Sequence, residues 1–287
     1  MMHKPRFMLL KTVQYPYIIM PRIVVLKIGG SVITKKDENL LEAKTDVIRG
    51  VARAIKKAME EREFKLVLVH GAGPFGHKLV QGYGINDGLK TKKDVEGFVK
   101  TCSAISDLNK IVVGCFLSEG LLAIGLQPTG FVVQKNKKIE KFGCEIIEAL
   151  LGLEENIIPV LCGDMVIDKK LKASVLSGDA IVPYLASKIG ASQVLMGTDV
   201  DGIFTADPKK DAEANFIKDV NLGNLAEVLN NSEGASTVDV TGGMKGKVME
   251  IKENLSGIET IVFNLNIEGN LYKILTGKEA KKTTINL

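Results

Sequence analysis

The chain has three histidines and four cysteines in 287 residues, and no C-x-x-C pair. Cys102, Cys115, Cys144 and Cys162 lie far apart, which excludes zinc-ribbon spacing and argues against a disulfide framework. A reducing cytoplasm is the expected setting. Long apolar runs are missing too. The opening stretch MMHKPRFMLLKTVQYPYIIMPR interleaves basic residues with short apolar pieces, none long enough for a signal segment or a membrane span. Residues 1–20 read as a tail, with Met20 a candidate start. No block of one charge exists either: 38 Lys and Arg stand against 34 Asp and Glu, a formal +4 spread along the chain. That spread disfavours a dedicated nucleic-acid surface and leaves small anions as the expected ligands. Repeats, low-complexity tracts and Gly/Ser linkers are absent as well.

What is present is a 45% hydrophobic sequence, enough for a large core. RIVVLKIGG, ending at Gly30, has the form of a buried strand opening into a tight loop. Val47, Val51, Ile55 and Ala58 then step at helical spacing. Further apolar runs recur at FKLVLVHG, LLAIGLQP, NIIPVLCGD, ASQVLMGTDVDG and IETIVFN. Helical stretches lie between them: TKKDVEGFVKTCSAISDLNKIVVGCFLSEG, GDAIVPYLASKIG and GGMKGKVMEIKENLSG. This alternation predicts an α/β fold with a mainly parallel sheet covered on both faces. FVVQKNKKIEKF and MVIDKKLKASVL break it and read as hairpins. A lobe boundary is placed near Gly190.

HGAGPFGH, residues 70–77, contains a G-x-G-x-x-G between a strand and a helix. A dinucleotide site would need an acid about 20 residues on, at the end of a strand. Asp94 has that spacing but lies in a segment of helical character. A P-loop fails because His77 follows Gly76 where a lysine is required. What remains is a glycine loop whose backbone N–H groups can face an anion. KIGGS (27–31), CGD (162–164) and GTDVDG (197–202) also follow apolar strands, and in a parallel sheet such loops gather at one edge. TGGMKGK (241–247) adds a helix start and two lysines. Two phosphate-bearing ligands meeting in one cleft point to phosphoryl transfer without a P-loop.

In these segments the sequence resembles the amino acid kinase superfamily and, within it, the isopentenyl phosphate kinases. KIGGSVITKK, VHGAGPFGH, SGDAIVPYLA, GTDVDG and DVTGGMKGK occur in that family's order over nearly the whole chain from Ile23. The resemblance implies a three-layer αβα open sandwich. A lobe of residues 21–189 would bind the phosphate acceptor, a lobe of residues 190–287 would bind Mg-ATP, and the enzyme would be a cytoplasmic homodimer. The implied reaction converts isopentenyl phosphate and ATP to isopentenyl diphosphate, for isoprenoid synthesis by an alternative mevalonate route. By position, Lys27, Gly29, Gly30 and Ser31 would cradle the transferring phosphate, and Lys36 would neutralise it. Ala72, Gly73, His77 and Gly163 would meet the acceptor. Asp179 would hold the active lysines in place, and Thr198, Asp199, Gly243 and Lys247 would contact ATP. Pro74, Lys78 and Gly130 stand where the family keeps other residues.

Phosphoryl transfer runs through a loose transition state, so positioning and charge neutralisation do most of the catalysis. Lys27, Lys36 and Lys247 suit that task, with Mg²⁺ bridging the phosphates and Asp179 directing the lysines. The acceptor phosphate has a second pKa of about 6, so it needs no general base, and His77 is expected to orient it as a donor. No metal site built from protein side chains is expected. Leu79, Val80, Tyr83, Ile85, Phe98, Val99 and Ile105 are candidate walls for the acceptor's apolar tail. A fosfomycin kinase, another small phosphate or phosphonate kinase, and a catalytically silent nucleotide sensor stand as alternatives.

Overall fold

The computed structural model describes residues 21–35, 41–231, 243–255 and 257–287. Lys36, Thr241 and Gly242 lie outside the described residues. Gly243 and Lys247 are described only through their backbone place in a helix.

The first half of the chain runs β1 (Ile23–Ile28), α1 (Gly30–Ile33), α2 (Thr45–Glu61), β2 (Lys65–His70), α3 (Pro74–Tyr83), α4 (Lys92–Ser118) and β3 (Ala123–Gly125). Two hairpins and a helix follow: β4 (Val132–Lys135), β5 (Lys138–Phe142), α5 (Cys144–Leu151), β6 (Ile158–Cys162), β7 (Asp164–Asp168) and β8 (Lys172–Leu176). The remainder is α6 (Gly178–Lys188), β9 (Gln193–Thr198), β10 (Ile203–Phe204), β11 (Phe216–Ile217), β12 (Asp219–Asn221), α7 (Leu225–Asn231), α8 (Gly243–Asn254), β13 (Glu259–Asn264), α9 (Asn270–Leu275) and β14 (Lys282–Asn286).

Eight strands form one sheet in the order β12-β14-β13-β9-β1-β2-β6-β3. Every pairing is parallel except β13 with β14. The near-continuous apolar runs of β1 and β2 fit this place, because a central parallel strand is covered on both faces. Alternate residues feed two cores. Val24, Leu26, Leu66 and Leu68 pack with α2, α4 and α9, whereas Val25, Val67, Val69 and Met196 pack with α5, α6 and α8. The result is the expected αβα sandwich. The turn at Gly190 (φ 64°) leads from α6 into β9, and the sheet continues across it through the pairing of β9 with β1.

Both expected hairpins form and join, through parallel pairing of β4 with β7, into a second sheet ordered β5-β4-β7-β8. Asn136 and Lys137 turn the first hairpin at φ 53° and 66°, the left-handed pair that a two-residue hairpin turn requires. Asp168 holds the two turns together. Its carboxylate accepts from the N–H groups of Asn136, Lys137, Lys170 and Leu171 at 2.7–3.0 Å and from Ser174 Oγ at 2.8 Å. Burial would raise its pKa, but these backbone and hydroxyl donors hold it well below the usual carboxylate range.

Asp94 has a structural role that removes it from any ribose-binding part. It is the third residue of α4 and forms a capping box with Thr91, each side chain serving the other's backbone N–H. Among the described residues no helix is long and apolar enough to cross a membrane.

Candidate active site

Register places the glycine loops side by side. His70 pairs with Cys162 on one flank and with Ile28 on the other, and Ile28 pairs with Gly197. The residues one step further along, Gly163, Gly71, Gly29 and Thr198, therefore lie in one row at the carboxyl edge of the sheet. Open α/β sheets receive ligands at this edge.

The first two loops touch through their backbones. A Cβ on Gly30 would come within 2.6 Å of the Gly73 nitrogen, and one on Gly71 within 2.5 Å of the Gly30 nitrogen. Gly73 adopts φ 52° and directs its missing side chain at Thr34 Oγ1, which is itself anchored to the Gly30 carbonyl at 2.7 Å. Gly29 donates to the Gly197 carbonyl at 2.9 Å, tying the β1 loop to β9. Gly163 approaches the start of α6, where a Cβ would stand 3.2 Å from Gly178 N. Ser31, the second residue of α1, is half-buried, and its carbonyl receives Lys44 Nζ at 3.4 Å.

Lys27 projects from the end of β1 toward α6. Its Nζ meets Asp179 Oδ2 at 2.7 Å, with both side chains about nine-tenths buried. The helix cap is Ser177, whose Oγ accepts from Ala180 N at 3.1 Å, so Asp179 directs its carboxylate at the lysine instead. Glu250 on α8 feels Asp179: burial first, then repulsion from Glu253 and Asp179, raises its pKa. The helix that carries Gly243 and Lys247 thus runs beside the Lys27–Asp179 pair.

His77 lies in the first turn of α3, exposed, with its N–H bonded to the Gly73 carbonyl at 3.0 Å. Pro74 fits here without loss, since it occupies the first helical position, where no intrahelical partner awaits an N–H. Gly130 leaves the polar work to its neighbour Thr129, whose N–H and Oγ1 both reach the buried Asp164 carboxylate next to Gly163. Burial raises the Asp164 pKa against those hydrogen bonds.

On the β9 side, Thr198 Oγ1 donates to the Val200 carbonyl at 2.8 Å. Asp199 pairs with Lys209 at 2.6 Å, and Asp201 pairs with Lys281 at 2.7 Å and accepts from Asn264 Nδ2 at 2.9 Å. Of the expected tail-pocket walls, Val80, Tyr83, Ile85 and Phe98 join Leu89, Met165, Ala173 and Cys102 in a small apolar cluster under α3 and α4. Ile105 packs beneath Gly76 instead. Val99, 57% exposed, stands outside this cluster.

His70, Asn109, Thr129 and Asp164 are polar groups at this edge that sequence reasoning passed over. His70 offered the one available signal, as the residue that opens the glycine loop.

A family model for the amino acid kinase family matches residues 22–264. The chain is 35% identical over 270 residues to an isopentenyl phosphate kinase of Methanothermobacter thermautotrophicus, covering 92% of this chain and 98% of that one. It is 37% identical over 263 residues to the isopentenyl phosphate kinase of Methanocaldococcus jannaschii, covering 89% and 96%. A solved isopentenyl phosphate kinase, 31% identical, superposes with a TM-score of 0.77 over 92% of this chain and 100% of the other. A UMP kinase from Ureaplasma parvum, 18% identical with a TM-score of 0.62 over 93% and 99%, shares the fold. A match across residues 22–264, together with identities of 35% and 37% along nearly whole chains, makes this protein a member of the amino acid kinase family and of the isopentenyl phosphate kinases within it.

Proposed function

We propose that the protein transfers the γ-phosphoryl group of ATP to isopentenyl phosphate, giving isopentenyl diphosphate. The observation that carries this reading is the buried Lys27–Asp179 pair set against two glycine loops in backbone contact. A lysine fixed by a carboxylate at the edge where two anion-binding loops meet is suited to stabilise charge moving between phosphates.

In this reading Gly29, Gly30 and Ser31 line the transferring phosphate, the N–H groups of Gly30 and Ser31 facing it while that of Gly29 stays on the Gly197 carbonyl, with Lys27, Lys36 and Lys247 supplying positive charge. Asp179 directs Lys27 and bonds to neither phosphate. Ala72, Gly73, His77 and Gly163 hold the acceptor in the lobe of residues 21–189. Thr198, Asp199, Gly243 and Lys247 serve ATP in the lobe of residues 190–287. The acceptor is a dianion at neutral pH, so His77 acts as an orienting donor and no proton needs removal.

Mg²⁺ would be carried by the nucleotide phosphates, as is usual for this ion. Bound there, it would neutralise charge between the β- and γ-phosphates.

A homodimer is part of the same reading. β3 is a short edge strand of the large sheet, and exposed Leu117, Leu122, Ile124, Ile146 and Leu153 lie on or near it, an apolar face suited to a second copy. The four free thiols suit a cytoplasmic setting.

The test is ADP release from Mg-ATP with isopentenyl phosphate, run beside fosfomycin, glutamate, aspartate and UMP. Turnover on isopentenyl phosphate alone is the expected result. Activity on fosfomycin alone would move the substrate, and ATP binding with no turnover on any acceptor would favour a nucleotide sensor.

A further inference from the structure

His70 ends β2, is fully buried, and has no part in the transfer described above. A carbonyl only accepts, so the 3.1 Å contact between His70 Nδ1 and the Gly71 oxygen makes Nδ1 the protonated nitrogen. Nε2 is then the acceptor, and Asn109 Nδ2 from α4 donates to it at 3.1 Å. The same amide donates at 3.1 Å to the Val160 carbonyl of β6, which locks the ring from behind. Burial pushes the imidazole down to about 4, so the ring stays neutral in this tautomer.

The consequence falls on the next peptide. In a trans peptide the C=O and N–H point in opposite directions. With the Gly71 carbonyl held against the imidazole, the Ala72 N–H is turned away from it. Gly163 leaves room nearby: a Cβ built there would stand 3.8 Å from the Ala72 nitrogen and 3.2 Å from that of Gly178. Among the described residues no backbone carbonyl accepts from the Ala72 N–H.

We propose that His70 is a positioning residue, which sets the Gly71–Ala72 peptide so that the Ala72 N–H donates to the acceptor phosphate. The inference rests on the proposed kinase reading, with the acceptor at the second glycine loop.

His70→Asn and His70→Gln separate this role from a merely structural one. An asparagine amide sits near the Nδ1 position and can still donate to the Gly71 carbonyl. A glutamine amide reaches toward Nε2 and can satisfy Asn109 but not Gly71. Steady-state kinetics with isopentenyl phosphate should give His70→Gln a KM for the acceptor raised roughly tenfold or more, with the KM for ATP little changed. His70→Asn should stay within about threefold of wild type. Equal acceptor KM in His70→Gln and wild type, or better retention by glutamine than by asparagine, overturns the proposal. Amide NMR of the wild type covers variants that fail to fold: isopentenyl phosphate should shift the Ala72 N–H resonance, and an unmoved Ala72 signal in a saturated enzyme overturns the proposal. A wild type silent on isopentenyl phosphate sinks the substrate reading instead. Inorganic phosphate then serves as the NMR probe, and a shifted Ala72 resonance keeps the role of His70.

Discussion

Gly30 and Gly73 belong to loops after different strands, yet their backbones meet so closely that a single Cβ on Gly30 would lie 2.6 Å from the Gly73 nitrogen. Because the obstacle is backbone and not a flexible side chain, the loops must separate to admit even a methyl group. Gly30→Ala should cost about 1–3 kcal/mol in stability, as overpacking does. It should also lower kcat/KM for both substrates together. Urea titration beside steady-state kinetics checks this, and a fully active Gly30→Ala of wild-type stability would refute it.

The Lys27–Asp179 pair makes a sharper prediction. Removing Asp179 takes a buried counter-charge from Lys27, so Asp179→Ala should lose about 3–5 kcal/mol and nearly all turnover. Replacing both, as Lys27→Met with Asp179→Leu, should restore most of the stability and none of the activity. Thermal melting and ADP release distinguish the two effects. A double variant that regains turnover would remove Lys27 from the transfer.

His77 is exposed, and that separates its function from folding. His77→Ala should shift stability by no more than about 0.5 kcal/mol, as exposed positions do. Turnover should fall by about a hundredfold if an orienting donor is lost. His77→Asn and His77→Gln keep a donor and should retain more. Equal rates for wild type and His77→Ala would dismiss the assignment.

His70 predicts an acid sensitivity. Its folded pKa of about 4 lies below the ordinary value of 6.5, so the unfolded chain takes up this proton first. The group's contribution is therefore intact above about pH 6.5 and declines as pH falls toward 4, by up to about 3 kcal/mol. The difference in unfolding free energy between wild type and His70→Asn, followed from pH 7 to pH 4, should change by that order. A difference independent of pH would contradict the buried neutral ring.

The strands that carry the site were legible because each is an apolar run closed by glycine: β1, β2, β6 and β9 all read that way. The hairpins were legible from their polar turns. Four short strands escaped notice. β10, β11, β12 and β14 have two to five residues each and lack an apolar run, so tertiary pairing and not local pattern makes them strands. Within the candidate site, the family resemblance pointed to Lys27 and Asp179, while the cap at Ser177 was not legible, since Asp179 has the chemistry of a cap as well. The contact of Gly30 with Gly71 and Gly73 joins segments some forty residues apart, and only sheet register reveals it. His70 was passed over because a histidine beside glycine has no local signature of a ring that orients a peptide.

Asp168 has a mechanical consequence. One carboxylate clasps the turns of both hairpins, so β4, β5, β7 and β8 form a braced plate whose halves cannot slide apart without breaking its two hydrogen bonds to the Asn136 and Lys137 N–H groups. β7 runs from that clasp to Asp164, beside Gly163 and the second glycine loop. A push on the far tip of the plate is therefore carried along a stiff lever to the carboxyl edge of the large sheet, where we propose the phosphates meet, instead of dissipating in two independent flaps.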